Sequence, residues 1–239
     1  MSKSALAITE EHNDLADAAN GLLSRLNSRA AARATLENGT AHPSEIWSAG
    51  RDLGWNGLAL AEEHGGSGFG LAELAVVLEA QGRELSPGPF LPTVAAAVVI
   101  DRCAPDSVRA QLLPGLADGS TVGAIALSGN VTIGSDLVVT GESPAVLGAP
   151  DADVLVIAAG EDVVIVDARA DGVTITALDS LDTTRSVNII HGHQHCVKFR
   201  LPAHTRPAGE GKYCAYFNWF SATLRRSTQT MKSKKRSEN

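Results

Sequence analysis

The spacing of apolar residues changes once along this chain, and that change limits the folds it can adopt. Up to about residue 120, apolar positions recur at steps of three and four, the period of a helix with one buried face. Beyond that point, short Val- and Ile-rich runs show a period of about two, as strands do. The chain therefore divides into a helical first half and a β second half.

The helical half contains five apolar stripes. The first begins after Thr9, a residue type that accepts hydrogen bonds from the first turn of a helix, and the acidic Glu10 and Glu11 follow it. The second starts at Pro43 and is closed by Gly54, because proline suits the first helical position and glycine suits a helix end. The remaining stripes cover residues 71–82, 94–103 and 106–113.

In the second half, the Val- and Ile-rich runs predict strands at 122–127, 137–140, 154–159, 163–167 and 173–177. Gly160 and Glu161 join two of them as a tight hairpin, and Asp171 with Gly172 marks a second turn. No helical stripe separates consecutive strands, which argues against a Rossmann-type parallel sheet. We therefore expect an α+β fold in which an all-α N-terminal domain over 1–120 precedes a small antiparallel β-domain over 121–190.

Charge separates the last fifth of the 239 residues from the rest. Residues 1–190 carry 10 Lys and Arg against 25 Asp and Glu, whereas residues 191–239 carry 10 against 2. Lys3 is the single lysine before residue 190, and six of the ten aromatic residues come after residue 190. We expect residues 191–239 to be a divergent, disordered basic tail, and the abrupt change suggests translation outside the original reading frame.

Composition excludes several classes of protein. The longest apolar run, residues 94–100, is seven residues long, whereas a membrane-spanning helix needs about 20. Cys103, Cys196 and Cys214 are too few and too widely spaced for a disulfide framework or a CxxC zinc site. No secretory leader is readable, and no nucleic-acid-recognition fold accompanies the basic end. We expect a cytoplasmic protein that binds neither membrane nor nucleic acid.

Two motifs in the helical half have a chemical and a structural interpretation. Glu62, Glu63 and His64 could act as a carboxylate pair with a base, or form a solvated loop. The glycine-rich residues 65–70 before a helix could offer backbone N–H groups to an anion. No GK[ST] follows them and no strand precedes them, so we expect a structural turn.

Two motifs in the β half are similarly ambiguous. Gly134-Ser135-Asp136 could approach a phosphate or a flat ring closely, or form a simple turn, and the sequence favours neither. His191, His193 and His195 alternate, which would place them on one face of a strand as metal ligands. No second ligand group with site-like spacing accompanies them, so we predict no metal site.

The motifs are more specific in combination. The run from 52 to 68, D-L-G-W-N-G-L-A-L-A-E-E-H-G-G-S-G, is followed by G-R-E-L at 82–85 and P-G-P at 87–89. Together with L-L-P-G-L-A-D-G at 112–119, it resembles the N-terminal helical domain of the acyl-CoA dehydrogenase family, especially of its actinobacterial members. The Val-rich strands, Gly134-Ser135-Asp136 and L-D-T-T-R-S-V at 181–187 resemble that family's middle β-domain. The resemblance covers about residues 1–190.

This resemblance implies an enzyme that binds FAD non-covalently. In the family, a glutamate removes the α-proton of an acyl-CoA thioester, and the β-hydrogen passes to the flavin as hydride. That glutamate belongs to a second, C-terminal helical domain, so we expect this chain to be truncated before it, to contain no catalytic residue and to be inactive alone. The implied partners are an acyl-CoA thioester, an electron-transfer flavoprotein and further subunits of a homo- or hetero-oligomer.

The resemblance also implies which residues contact the cofactor. Gly134 and Ser135 match the G-S portion of the family's T-E-P-x-x-G-S-D segment, and Ser128 stands in for its threonine. We therefore expect Ser128, Gly134 and Ser135 to bind FAD. Gly129-Asn130 replaces the Glu-Pro pair, and Ala145-Val146-Leu147 replaces the W-I-T segment that covers the flavin. These departures suit the alternative function, that of a non-catalytic partner subunit in a heteromeric acyl-CoA dehydrogenase.

Overall fold

The computed structural model describes residues 9–38, 44–126, 130–159, 162–178 and 187–200. Within these ranges the first part of the chain is helical, and the second part forms one sheet. The α-helices are α1 (Glu10–Arg25), α2 (Ser28–Asn38), α3 (Ser44–Asp52), α4 (Leu71–Arg83), α5 (Phe90–Cys103) and α6 (Asp106–Ala117). Short 3₁₀ turns cover Trp55–Gly57, Glu62–His64 and Ala149–Asp151.

Local hydrogen bonds explain where the helices start. Thr9 caps α1, because its side chain accepts from the N–H of His12, as the sequence predicted. The Glu73 carboxylate accepts from the N–H of Gly70 at 2.8 Å and so caps α4. The apolar faces of α1, α3, α4 and α5 then meet in one core that includes Leu23, Leu74 and Val94.

Helix α2 was not predicted from the sequence. Its residues, SRAAARATLEN, form no continuous apolar stripe, and its Leu36 side chain is 53% exposed. Alanine and arginine have high intrinsic helix propensity, so this segment is helical without a large buried face. Hydrophobic periodicity alone cannot find such a helix.

The sheet contains β1 (Gly123–Ala126), β2 (Asn130–Ile133), β3 (Val138–Leu147), β4 (Val154–Ala159), β5 (Asp162–Asp167), β6 (Val173–Ala177), β7 (Val187–His195) and β8 (Val197–Arg200). The strand order is β6-β7-β3-β1-β4-β5-β8, with β2 paired to β3. The predicted β4–β5 hairpin is confirmed, since Ala159 pairs with Asp162. Its turn residues, 160 and 161, lie outside the described residues.

The sheet is antiparallel, as expected, except at its centre, where β1 and β4 are parallel. After β3 the chain crosses the start of β1, and the Asp153 carboxylate accepts from the N–H of Val122 at 2.9 Å before β4 begins. Because of this crossing, β4 enters the sheet in the same direction as β1. The result is one parallel pair in an otherwise antiparallel sheet.

The sheet extends beyond residue 190, where we expected the β-domain to end. β7 pairs with β3 along its length up to His195, opposite Val138, and β8 pairs with β5 up to Arg200, opposite Asp162. The expected boundary was therefore too early, because β3 and β5, which pair with β7 and β8, lie far back in the chain and local composition does not indicate such pairing. The remainder of the expected tail, 201–239, lies outside the described residues.

Both faces of the central strands are buried. Along β4, Val154 and Val156 pack with α5 and α6, while Leu155 and Ile157 pack into a second core on the opposite face of the sheet. This alternation explains why the β4 sequence is a continuous apolar run. The described helices include none that is long and apolar enough to cross a membrane.

Candidate functional site

Helix α5 meets the start of β1 through a buried threonine. The Thr93 hydroxyl, which is fully buried, donates to the carbonyl of Gly123 at 3.3 Å and accepts from its N–H at 3.2 Å. A Cβ atom on Gly123 would lie 2.8 Å from the Cβ of Ala96, closer than real contacts allow. The helix and strand therefore approach at a distance that glycine permits, and the hydroxyl fixes their register.

The end of β3 reaches the same helix. Gly148 has a φ of +78°, and a Cβ there would lie 2.7 Å from the Cγ of Pro92 in α5. Ile125 of β1 pairs with Leu147, the last residue of β3, so the end of β3 lies beside β1. We call Pro92, Thr93, Ala96, Gly123 and Gly148 the α5–sheet junction.

The residues expected to bind the cofactor are separated by a strand. Residues 127–129, which follow β1 and include Ser128, lie outside the described residues. β2 follows at Asn130–Ile133, and Gly134 and Ser135 come at its far end. A four-residue strand is roughly 13 Å long.

Gly134 and Ser135 occupy an exposed hairpin turn between β2 and β3. The Gly134 N–H donates to the carbonyl of Val138 at 2.9 Å, and its carbonyl accepts from the N–H of Leu137 at 3.1 Å. The Asp136 carboxylate accepts from the N–H of Val138 at 3.2 Å. This geometry corresponds to the simple-turn interpretation of the motif. β3 then carries the chain roughly 30 Å before it reaches the α5–sheet junction.

The glycine-rich loop is the structural turn that we expected. Its successive N–H groups at Gly66, Ser67, Gly68 and Phe69 donate to the carbonyls of residues 61, 57, 60 and 58 at 2.9–3.1 Å. A Cβ on Gly66 would lie 2.2 Å from the Leu60 carbonyl oxygen, so the two segments touch through their backbones. These donors are used within the protein, and the loop offers none of them to an anion.

The acidic motif before this loop is largely solvated. Glu62 and Glu63 are exposed, and the Nε2 atom of His64 lies 3.6 Å from a Glu63 carboxylate oxygen. The His64 side chain is mostly buried, whereas the Glu63 side chain is exposed. His191, His193 and His195 lie in β7, and the residues described by the structure contain no group of three or more side chains that could hold a metal ion.

Sequence reasoning missed the α5–sheet junction. Thr93 is a polar residue inside the apolar segment F-L-P-T-V-A-A-A-V-V-I, and such a residue in a buried helix needs a partner. This polar residue in an apolar helix was the one feature of the sequence that could have indicated the junction. The partner, Gly123, is 30 residues away, so the contact could be found only in the fold.

Comparison with known proteins identifies the helical half. Residues 9–120 match the family model described as acyl-CoA dehydrogenase, N-terminal domain. The helical half therefore resembles the N-terminal domain of the acyl-CoA dehydrogenase family. It is 32% identical over 130 residues to acyl-CoA dehydrogenase IpdE2 of Mycobacterium tuberculosis, a match covering 54% of this chain and 40% of that protein. It is also 38% identical over 93 residues to FadE12 of the same species, a match covering 36% of this chain and 23% of that protein.

Solved acyl-CoA dehydrogenases share the combined helical and β architecture. A variant of the Tcur3481-Tcur3483 steroid ACAD aligns with a TM-score of 0.72 at 25% identity, over 92% of this chain and 62% of that one. The ChsE4-ChsE5 complex from Mycobacterium tuberculosis aligns with a TM-score of 0.76 at 23% identity, over 95% and 64%. The chain thus spans less than two thirds of these similar proteins.

Proposed function

We propose that this chain is a non-catalytic subunit of an acyl-CoA dehydrogenase assembly. In this proposal the assembly is cytoplasmic and oxidises acyl-CoA thioesters of fatty-acid or steroid breakdown, and an electron-transfer flavoprotein accepts the electrons. A homologous subunit supplies the FAD and the catalytic glutamate. The observation that carries the proposal is the exposed turn in which Gly134 and Ser135 lie, whose backbone groups close the β2–β3 hairpin.

The described residues do not fit FAD in the way that the family resemblance implies. Gly134 and Ser135 lie in a solvent-exposed turn whose backbone groups close the hairpin. At the end of β3, Leu147 is half-buried and offers an apolar side chain where the resemblance implies a threonine hydroxyl. Without these polar groups, the sheet has few donors for the ring or the phosphates of a flavin.

A heteromeric arrangement agrees with the names of similar structures. One is described as a complex of ChsE4 with ChsE5, and another as the Tcur3481-Tcur3483 steroid ACAD. A further neighbour, an acyl-CoA dehydrogenase from Bacillus anthracis, was solved with FAD. The first two names support pairing between two kinds of subunit, and the third supports FAD as the cofactor of a homologous subunit.

A reconstitution experiment tests this function. The purified chain is mixed with a full-length, FAD-loaded homologue, and three quantities are measured: the mass of the complex, its FAD content per chain, and acyl-CoA-dependent reduction of electron-transfer flavoprotein. We expect a heteromer that contains one FAD for each homologue chain and none for this chain. We expect activity only when the homologue is present. Acyl-CoA-dependent reduction by this chain alone would overturn the proposal.

The second candidate is the one derived from the motif itself, in which Ser128, Gly134 and Ser135 bind FAD in this chain. The match between Gly134-Ser135 and the G-S portion of the family's flavin-binding segment favours this candidate. Under this candidate, Ser135→Ala weakens FAD binding by the isolated chain. Under the subunit proposal, the same variant leaves both the flavin content and the activity of the heteromer unchanged.

A further inference from the structure

A small polar cavity lies inside the helical half, away from the α5–sheet junction. It is lined by α3, the 3₁₀ turn at Trp55–Gly57, the end of α4 and the turn that leads into α5. The cavity volume is about 10 Å³. That is about the smallest volume that admits one water molecule. Its lining residues are Ile46, Trp47, Gly50, Asn56, Gln81, Ser86, Pro87 and Phe90.

Two of these residues bring buried polar atoms that have no protein partner. Asn56 is 3% exposed, and neither its Oδ1 nor its Nδ2 atom has a protein hydrogen bond. Ser86 is also 3% exposed, and its Oγ atom likewise has none. Gln81, 8% exposed, lines the same space. Buried polar atoms are rarely left unsatisfied, because each would carry the full cost of losing its hydration.

We infer that this cavity is a binding site for one ordered water molecule that bridges Asn56 and Ser86. A water molecule donates two hydrogen bonds and accepts two, so it can donate to Asn56 Oδ1 and exchange a hydrogen bond with Ser86 Oγ. The site meets both requirements for buried water, which are polar partners and sufficient room. An apolar ligand would leave the same polar atoms unsatisfied.

The bridge holds the connection between α4 and α5. In this connection Leu85 has a φ of +52°, an uncommon conformation for a non-glycine residue, and the N–H of Ser86 donates to the Gln81 carbonyl at 2.8 Å. α5 begins at Phe90, another cavity residue, and continues to Thr93 at the α5–sheet junction. The water therefore helps to fix the start of the helix on which the sheet docks.

Nuclear magnetic resonance on the full chain tests the site directly. In protein labelled with ¹⁵N asparagine, the Asn56 side-chain amide should show a cross-peak to water with the sign of a long-lived contact. The peak is assigned by its loss in Asn56→Leu, and it should weaken or disappear in Ser86→Ala. Absence of any such peak from the wild-type amide would overturn the inference.

Thermal unfolding gives an independent test. Ser86→Ala and Asn56→Leu should each lower Tm by about 2–4 °C, and the double variant should fall by less than the sum, because both lose the same bridge. Ser28→Ala is the matched control, since Ser28 is 1% exposed with a partnerless Oγ but does not line the cavity. Its effect should add to that of Asn56→Leu. Additive effects of Ser86→Ala and Asn56→Leu would contradict a shared water, as would a rise in Tm for Asn56→Leu.

Discussion

The two halves of this molecule differ in how their polar groups are used. In the helical half, the glycine-rich loop satisfies its N–H groups internally and packs its backbone against residues 57–62. In the β half, the strands are paired and the core is buried, yet the described positions expected to contact flavin are an exposed turn and the apolar Leu147. The framework and the expected cofactor site are therefore separable.

This difference shows which family features are structural in this chain. The G-G-S-G motif is needed because backbone meets backbone at Gly66, whatever the chain binds. The strand framework is likewise fixed by burial on both faces, as along β4. Cofactor-binding residues are under no such packing requirement, so they can change without loss of the fold.

The largest effect is expected from Gly66→Ala in the helical half. The new Cβ would lie 2.2 Å from the Leu60 carbonyl oxygen, and backbone cannot move aside as a side chain can. We expect a loss of roughly 3 kcal/mol or more in the free energy of unfolding, measured by chemical denaturation. Gly82→Ala is the control, because its Cβ meets nothing within 4 Å, and it should stabilise α4 by up to about 1 kcal/mol. Equal effects from the two variants would refute the packing argument.

The next effect tests the connection between the two halves. Gly123→Ala places a Cβ 2.8 Å from that of Ala96 and must push α5 away from β1. We expect a loss of about 1–3 kcal/mol, with both halves still unfolding in one transition. A variant as stable as the parent chain would show that the α5–sheet junction is looser than described.

Removal of the Thr93 hydroxyl tests the hydrogen bonds of the same junction. Thr93→Val keeps the side-chain shape but leaves the N–H and carbonyl of Gly123 without this partner, so we expect a loss of about 1–3 kcal/mol. Thr35→Val is the control: Thr35 is 2% exposed, and its hydroxyl donates to Ala31 within the same helix. If the control costs as much as Thr93→Val, the junction has no special role.

The smallest effect concerns pH at the boundary between the halves. Burial raises the pKa of Asp118, but hydrogen bonds from the Ser120 hydroxyl and N–H, together with the charge of Arg51, outweigh it, so the pKa lies below its ordinary value. The ionised carboxylate therefore stabilises the fold above its unfolded pKa of about 3.9, and this contribution is lost as pH falls through the lower folded pKa. The difference in the free energy of unfolding between wild type and Asp118→Asn should shrink between pH 6 and pH 3. Chemical denaturation at steps of about one pH unit measures it. A difference that grows on acidification would contradict the assignment.

Periodicity predicted the packed elements and failed where pairing is distant. Helices α4, α5 and α6 were predicted because each buries an apolar stripe, whereas α2 has none. Within β3, only residues 137–140 were predicted, since Gly141 and Pro144 interrupt the pattern at a point where the strand is bulged. β7 pairs with the distant β3 as well as with the preceding β6, and β8 pairs with the distant β5, so local composition did not indicate where the sheet ends.

For the candidate site, residue types alone predict Ser128, Gly134 and Ser135 as flavin contacts, and this assignment stays a prediction. Gly134 and Ser135 match a cofactor motif by residue type, but β2 separates them from Ser128. Strand register, which no short motif encodes, decides which residues share an end of the sheet. The resemblance to the family was nevertheless correct, because it rested on a long run of the helical half rather than on one motif.

We propose that the sheet of this chain retains the fold of an acyl-CoA dehydrogenase without its own flavin site. The most direct test is a visible absorption spectrum of the purified chain, followed by titration with FAD. The account predicts a colourless protein that takes up no FAD. A flavin spectrum at near-unit stoichiometry, in the isolated chain or after titration, would contradict it.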